Sequence, residues 1–294
     1  MIKTIKYKFN SSIRVFLFNR KKRKKRKEIL AYYKNNQHPN SEITAAVDYL
    51  KQHALSDFYG AFQHKYCADD VEVYTDIENG LNYIVEQNKR MYFKRSHNKR
   101  TVQLIYNQLM IEQDPESTHC YTDDQFFVNK DTILADVGCA EGYFSFQHIE
   151  EIKKVYLFES DPEWIEALEA TFKPWNCKVQ IVKKFVSDQT TQKEISLDDF
   201  FAEKTHKPNF FKIDVEGAEQ SVLNGMKDLF KKPPLQIALC TYHNKEDLDT
   251  FTSFFENLQY HVSPNPGLMI YSHDLENLQA PYFRTGLIKA SKYD

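Results

Sequence analysis

Two short runs in this chain put carboxylates where chemistry could use them. Ile133-Leu-Ala-Asp-Val-Gly-Cys-Ala-Glu-Gly142 reads as an apolar strand ending in Asp136, a tight turn through Gly138, and a helix start. Phe210-Phe-Lys-Ile-Asp-Val-Glu-Gly-Ala-Glu219 is a second such strand, tipped by Asp214 and Glu216 ahead of Gly217. Acids and glycine turns at the carboxyl ends of buried strands are how doubly wound α/β sheets hold adenosine-bearing ligands. The same carboxylates can orient a hydroxyl or take its proton.

The first turn separates two ligand classes. A dinucleotide fingerprint, G-x-G-x-x-G, uses three glycines to bring backbone against a pyrophosphate. Here Ala140 and Tyr143 stand where the second and third glycines would fall. Asp136-Val-Gly138-Cys139-Ala140-Glu-Gly142 instead resembles the D-x-G-x-G-x-G turn of S-adenosylmethionine methyltransferases, with one glycine replaced. That resemblance implies a turn wrapping the methionine moiety, with Tyr143 and Phe144 continuing the wall. Val155-Tyr-Leu-Phe158 is a second apolar strand, and Glu159 and Ser160 follow it. A carboxylate there can accept from both ribose hydroxyls; Glu159 as a helix cap is the plainer reading, for which Asp161 before Pro162 is better placed. Ser187 and Asp188 follow the third strand, where adenine is recognised, although short polar residues there also form turns.

These side chains need a sheet to hold them. From about residue 120 the pattern alternates strand and helix, with strands predicted over 132–137, 154–159, 178–185, 209–215, 235–241, 260–264 and 284–290. Such alternation predicts a mostly parallel sheet. Upstream, Asn40-Ser41 caps a helical stripe of Ile43, Ala46, Val47, Leu50, Ala54 and Phe58. Three strands are predicted over 71–74, 81–85 and 91–93, with Asn79-Gly80 the strong hairpin signal and Gln87-Asn88-Lys89 a weaker turn. A helix with Val102, Ile105, Tyr106, Leu109 and Met110 on one face ends at Asp114-Pro115. The division expected is a basic tail over 1–39, an α+β extension over 40–122 and a sheet domain over 123–294.

The signature around Asp214 also carries a family resemblance. Phe211-Lys-Ile-Asp-Val-Glu-Gly-Ala-Glu219 closely resembles that of FkbM-type methyltransferases, with Ile195-Ser-Leu-Asp-Asp-Phe200 before it and Leu239-Cys-Thr-Tyr-His243 after it in matching order. The resemblance covers roughly residues 130–290. It implies a Rossmann-like class I methyltransferase fold with a seven-stranded, mostly parallel sheet; the N-terminal 125 residues lie outside the family core, and a small α+β N-terminal extension is expected there. It also implies S-adenosylmethionine as cofactor and methyl transfer to an oxygen, here expected on a glycan, glycan precursor or related small molecule. Rival readings are an inactive cofactor-binding partner protein and an NAD-dependent oxidoreductase.

A sulfonium is already an activated electrophile, so positioning the acceptor supplies most of the acceleration. A base adds about 10²–10⁴-fold. By position at the strand ends, His243 or Glu216 is expected as base, with Asp214 holding cofactor or acceptor. The plainer readings are a strand-end His bonded to backbone and a carboxylate capping the helix near Ala218. Tyr242 and His119 are expected at the acceptor, His119 from a surface loop where a solvent-exposed imidazole is the alternative. Glu112-Gln-Asp-Pro-x-x-x-His119 is therefore a segment of interest. Asp214, Glu216 and Asn244 could offer oxygens to a divalent cation, but no ligand spacing demands one, and none is expected.

Charge is distributed unevenly. Residues 1–30 hold twelve Lys/Arg against one Glu, or +11, which leaves −13 for the rest of a chain whose net charge is −2. Arg20, Lys21, Lys22, Arg23, Lys24, Lys25, Arg26 and Lys27 form an unbroken run beside Ile13, Val15, Phe16, Leu17 and Phe18. Eight consecutive cations are solvated or bound to polyanion. A solvated segment, an anionic membrane face and nucleic acid compete, and the acidic remainder without a binding module argues against nucleic acid. Five scattered cysteines in no metal-ligand spacing favour free thiols and a reducing compartment. No apolar run approaches the roughly 20 residues of a membrane span. Cytoplasmic placement, peripheral to a membrane if the basic run binds one, is the expectation.

Overall fold

Alternating apolar runs and capped helices organise the chain around one seven-stranded sheet. The computed structural model describes residues 2–36, 38–232, 234–272 and 275–293, with side chains from Phe18 onward. Helix α1 spans Ile2–Asn35 and α2 spans Ser41–Gln52, the latter capped by Asn40, whose side chain accepts from the Glu42 amide. The expected irregular tail is thus a helix. No glycine or proline interrupts residues 1–38, and Lys and Arg are good helix formers.

A small antiparallel sheet follows, β1 (Tyr74–Thr75), β2 (Asn82–Glu86) and β3 (Lys89–Tyr92), then α3 (Lys99–Glu112). The two turn signals exchange rank. Gln87 and Asn88, both at positive φ (49° and 62°), make the two-residue hairpin between β2 and β3. Asn79-Gly80 lies in a longer connection between β1 and β2, where the Gly80 amide donates to Asp76 O at 2.8 Å; β1 itself is Tyr74–Thr75 rather than the predicted 71–74.

The main sheet is built from β4 (Ile133–Val137), β5 (Lys154–Phe158), β6 (Val179–Val182), β9 (Phe210–Ile213), β10 (Leu235–Cys240), β11 (His261–Pro264) and β12 (Leu287–Lys292). Its order is β11-β12-β10-β9-β4-β5-β6. Pairing from β10 through β6 is parallel, and β12 alone runs antiparallel to both of its neighbours. Strand order reverses between β4 and β9, and crevices at such switch points receive ligands.

Helices α4 (Tyr143–Gln147), α5 (Pro162–Phe172), α6 (Leu197–Ala202), α7 (Glu219–Asn224) and α8 (Asp247–Asn257) cover the faces. Phe144, Phe146, Leu168 and Phe172 join Val102, Tyr106 and Leu109 of α3 on one side, so the N-terminal extension shares a core with the sheet. Leu197, Phe201, Val222, Leu223, Phe251 and Phe255 pack the other. Ile29 and Tyr33 of α1 and Ile43, Ala46 and Leu50 of α2 close a third cluster with Ile270, Leu275, Leu278 and Tyr282.

Two strand predictions shift. The third strand stops at Val182, and β7 (Phe185–Val186) leaves the sheet to pair with β8 (Glu194–Ile195). The last strand begins at Leu287 rather than 284. Gly286 crosses Thr118 so closely that a Cβ would stand 2.5 Å from the Thr118 carbonyl oxygen, and Arg284 forms its own bridge to Met269.

Candidate active site

Strand β4 ends its buried run by carrying Asp136 to the sheet edge, where Ser145 Oγ donates to Oδ2 at 2.7 Å. Lys212, buried in β9, donates to Gly138 O at 2.7 Å and lies 3.2 Å from Asp136 Oδ1. Burial opposes its charge, but Asp136 and Asp214 outweigh that and hold its pKa above the usual lysine value. This ammonium ties the two central strands together at the switch point. Gly138 (φ +69°) has no room for a side chain: a Cβ would stand 2.0 Å from Asp214 O. Ala140 turns at φ +47°, a conformation glycine would take without strain. Its amide donates to Glu159 Oε2 at 3.0 Å, and Ser160 and Asp161 amides donate to Oε1 at 2.7 and 2.8 Å. Glu159 therefore links the β5 tip to the glycine turn.

A cavity of about 810 Å³ opens over these strand ends. Asp136, Gly138, Cys139, Ala140, Tyr143, Phe144, Glu159 and Ser160 line one part of it; Gly142 lies behind the wall, where a Cβ would run into Leu168 and Phe172. Ser187 and Asp188 are not on the wall. Lys184, Phe185 and Val186 occupy that position, while Asp188 accepts from Ser221 Oγ at 3.0 Å and Ser187 turns to Gln189. The departure of β7 from the sheet moves Ser187 and Asp188 off this wall.

Asp214 is the hub of the other part of the cavity. Tyr121 and Tyr242 hydroxyls donate to its carboxylate at 3.1 and 3.2 Å, and His119 Nε2 and His243 Nε2 each lie 3.6 Å away. Burial would raise its pKa, but His119, Lys212 and His243 together hold it far below the usual carboxylate range. His243 is buried against Asp214, Glu216 (3.5 Å) and, through Nδ1, Glu219 (3.0 Å). Burial disfavours its charge, yet Glu216 and Glu219 push its pKa up to about 10. At neutral pH the ring is an imidazolium with no free lone pair. Glu219, fully buried at the start of α7, also accepts from the Val215 and Gly217 amides at 3.1 and 3.4 Å. It thereby braces Glu216, which sits at φ +54°. The Glu216 carboxylate is exposed and accepts from Tyr271 Oη at 2.9 Å.

The structure thus brings Asp214, Glu216 and Tyr242 together at one end of the cavity, with His243 buried against Asp214 and Glu216 but not on the wall. His119 does not lie on a surface loop: it is buried, 3.6 Å from Cys240 Sγ, because the adjoining Thr118 packs against Asn265, Gly267 and Gly286. Five neighbours were given no role by the sequence reading. Tyr121 and Glu219 left no signal that singled them out, whereas Lys212 stands as a lone charge in a run buried on both faces. Glu112, inside the flagged segment, enters the cavity from α3, where burial raises its pKa and Gln108 donates to Oε1 at 3.2 Å. Glu141 also lines it, pushed up to about 8 by burial. Asn244 turns its backbone and side-chain N–H groups to Asp247 at 2.7 and 3.3 Å. Asp214, Glu219 and His243 place donor atoms within 4.8 Å of one another, a cluster in which the imidazolium supplies the positive charge.

A doubly wound sheet with a glycine turn and acid-tipped central strands defines an α/β enzyme domain with a nucleoside-cofactor crevice. The domain description "Methyltransferase FkbM domain" matches residues 80–262. The chain belongs to the FkbM methyltransferase family, whose cofactor is S-adenosylmethionine. No curated protein matches it. Among solved structures it is similar to a methyltransferase FkbM from Methylobacillus flagellatus KT, at 16% identity and TM-score 0.47 over 65% of this chain. The matched part is 54% of that protein's chain, so this chain spans about half its length. It is also similar to SMU.1697c, a putative methyltransferase from Streptococcus mutans in complex with SAH (15% identity, TM-score 0.36, covering 64% of this chain and 97% of that one). A further likeness is to an rRNA methylase from Streptococcus thermophilus (12%, TM-score 0.38, 57% and 90%). The crevice fits the cofactor on its own terms: the turn at Gly138 admits only backbone, and Glu159 keeps acceptor capacity beside the cavity.

Proposed function

We propose that this protein transfers a methyl group from S-adenosylmethionine to a hydroxyl oxygen of a glycan, glycan precursor or related small molecule. The observation that carries this reading is a continuous cavity that joins the glycine turn to the Asp214 cluster. One wall suits a nucleoside and an amino-acid end; the other offers Tyr121, Tyr242, His119 and Glu112 to a polar acceptor. The cofactor supplies an activated methyl electrophile. What remains for the chain is to aim an oxygen at it and dispose of one proton.

The roles follow from charge state. Asp136, Gly138, Ala140 and Glu159 hold the cofactor. Asp214, fixed as an anion by its four polar neighbours, orients hydroxyl groups and is too weak a base to retain a proton. His243, already protonated, secures Asp214, Glu216 and Glu219 rather than acting as base. Glu112 keeps a raised pKa, and it faces the same space from α3. A carboxylate of that kind, with a pKa nearer the working pH, is the better proton acceptor.

Glycans from cells with and without the gene, compared by mass spectrometry, test the acceptor class. A species one CH₂ lighter in the deficient cells supports the reading. Identical glycan profiles, with a methylated difference in protein or nucleic acid instead, overturn it.

A further inference from the structure

The long basic helix is the largest feature that the proposed chemistry leaves unused. The fold divides its eight-residue cationic run into two groups. Lys21 pairs with Glu276 at 2.6 Å, Lys25 donates to Leu278 O at 2.9 Å, and Arg26 donates to Leu50 O and Lys51 O, both at 2.7 Å. Lys22 lies 5.3 Å from the centre of the exposed Phe18 ring. Lys21, Lys25 and Arg26 fasten the helix to α2 and to the segment between β11 and β12, while the Lys22 contact stays within α1. Arg20, Arg23, Lys24 and Lys27 are exposed and hold no ion pair or hydrogen bond among the described residues.

Their spacing of three and four residues puts those four on one face. The backbone of α1 is continuous from Ile2, so the same register extends toward the N-terminus. Positions Ile13, Phe16 and Leu17 lie seven, four and three residues before Arg20, in line with that face. Along one side of the helix the order is therefore apolar first, then cationic. An apolar turn beside a strip of Lys and Arg is the pattern of a helix lying at a bilayer surface, apolar groups in the acyl boundary and cations among the headgroups. Nucleic acid would use the cations alone.

The helix is also placed to matter for the site. Ile270, Leu275, Leu278 and Tyr282 pack against α1 and α2, while Met269 and Tyr271 of the same segment line the cavity. We propose that this face of α1 docks on anionic phospholipid bilayers and so holds the cavity beside the membrane surface. The acidic remainder of the chain, at −13, is repelled by that surface, which turns the docking toward this one face.

The test is co-sedimentation of the full chain with vesicles of phosphatidylcholine alone or with about one-third phosphatidylglycerol. The expected result is binding to the anionic vesicles only, weakened as salt rises from about 0.1 M to about 0.5 M. A variant with Arg20, Arg23, Lys24 and Lys27 all changed to Ser should bind about 10²–10³-fold more weakly. Its circular dichroism and cofactor affinity should be unchanged, since none of the four touches the core. Replacing Phe16 and Leu17 with Ser should weaken binding in the same direction. Equal binding to both vesicle types overturns the proposal, as does an unaffected four-residue variant. Tighter binding to a duplex or single-stranded oligonucleotide than to the anionic vesicles also overturns it.

Discussion

Replacing His243 with Gln should cost stability in a way that depends on pH with a definite sign. The imidazole is buried, touches three carboxylates, and has its pKa pushed from 6.5 to about 10. Because the folded pKa is raised, the stabilisation is complete below about pH 6.5 and is lost as pH climbs through about 10. Each pKa unit is about 1.4 kcal/mol, so the full contribution is roughly 4–5 kcal/mol. Removing one member of a buried charged cluster costs roughly 3–5 kcal/mol, in agreement. The glutamine amide would retain hydrogen bonding but carry no charge, leaving Glu219 and Asp214 facing each other. Urea unfolding of both proteins at several values between pH 6 and 10.5 measures the difference. The gap should be widest near pH 6.5 and close by about 1.4 kcal/mol per pH unit toward pH 10. Parallel stability curves would show that His243 is neutral in the fold, and the role assigned to it would fail.

Three other substitutions separate the parts of the site. Glu159→Gln should weaken S-adenosylmethionine binding about 10-fold or more by calorimetry, since a neutral amide accepts less strongly from ribose hydroxyls; unchanged affinity would move the ribose elsewhere. Glu112→Gln should lower kcat about 10²–10⁴-fold while leaving cofactor affinity intact, whereas an unchanged kcat returns the proton to Glu216 or solvent. Ala140→Gly should stabilise the fold by about 0.5–1 kcal/mol in thermal unfolding, because the left-handed backbone costs alanine about 1–2 kcal/mol and glycine's added entropy offsets part of it. A loss of stability there would mean that the turn is not strained.

The sheet was legible because strands buried on both faces are near-continuous apolar runs, and Ile133–Val137, Val155–Phe158 and Leu235–Cys240 stand out as such. The acids at the tips of β4, β5 and β9 were legible for the same reason, since a carboxylate ending such a run has few uses but a site. What escaped depends on three-dimensional crossings. His119 and Tyr121 enter the crevice from a loop whose polar spelling suggests a surface, and only the packing of residues 58, 269 and 286 around it buries them. Glu219 reads as an ordinary helix-start acid until His243 is seen 3.0 Å away. Helix α1 was hidden by its charge: Lys and Arg favour helices but suggest an unstructured tail to the eye, and the anchoring residues Ile29 and Tyr33 come only after the run. The strand predicted over 178–185 was carried past Lys183-Lys184, the break at which β6 ends three residues early, and so placed Ser187 and Asp188 beside a cavity wall they do not reach.

The central claim is that the crevice between β4 and β9 holds S-adenosylmethionine. Titrating the full chain in a calorimeter with S-adenosylmethionine, and separately with NAD, examines it most directly. Binding of the former at one site is expected, abolished by Gly138→Ala in a protein that still melts cooperatively, with no heat from NAD. Tight NAD binding, or S-adenosylmethionine affinity indifferent to that methyl group, would contradict it.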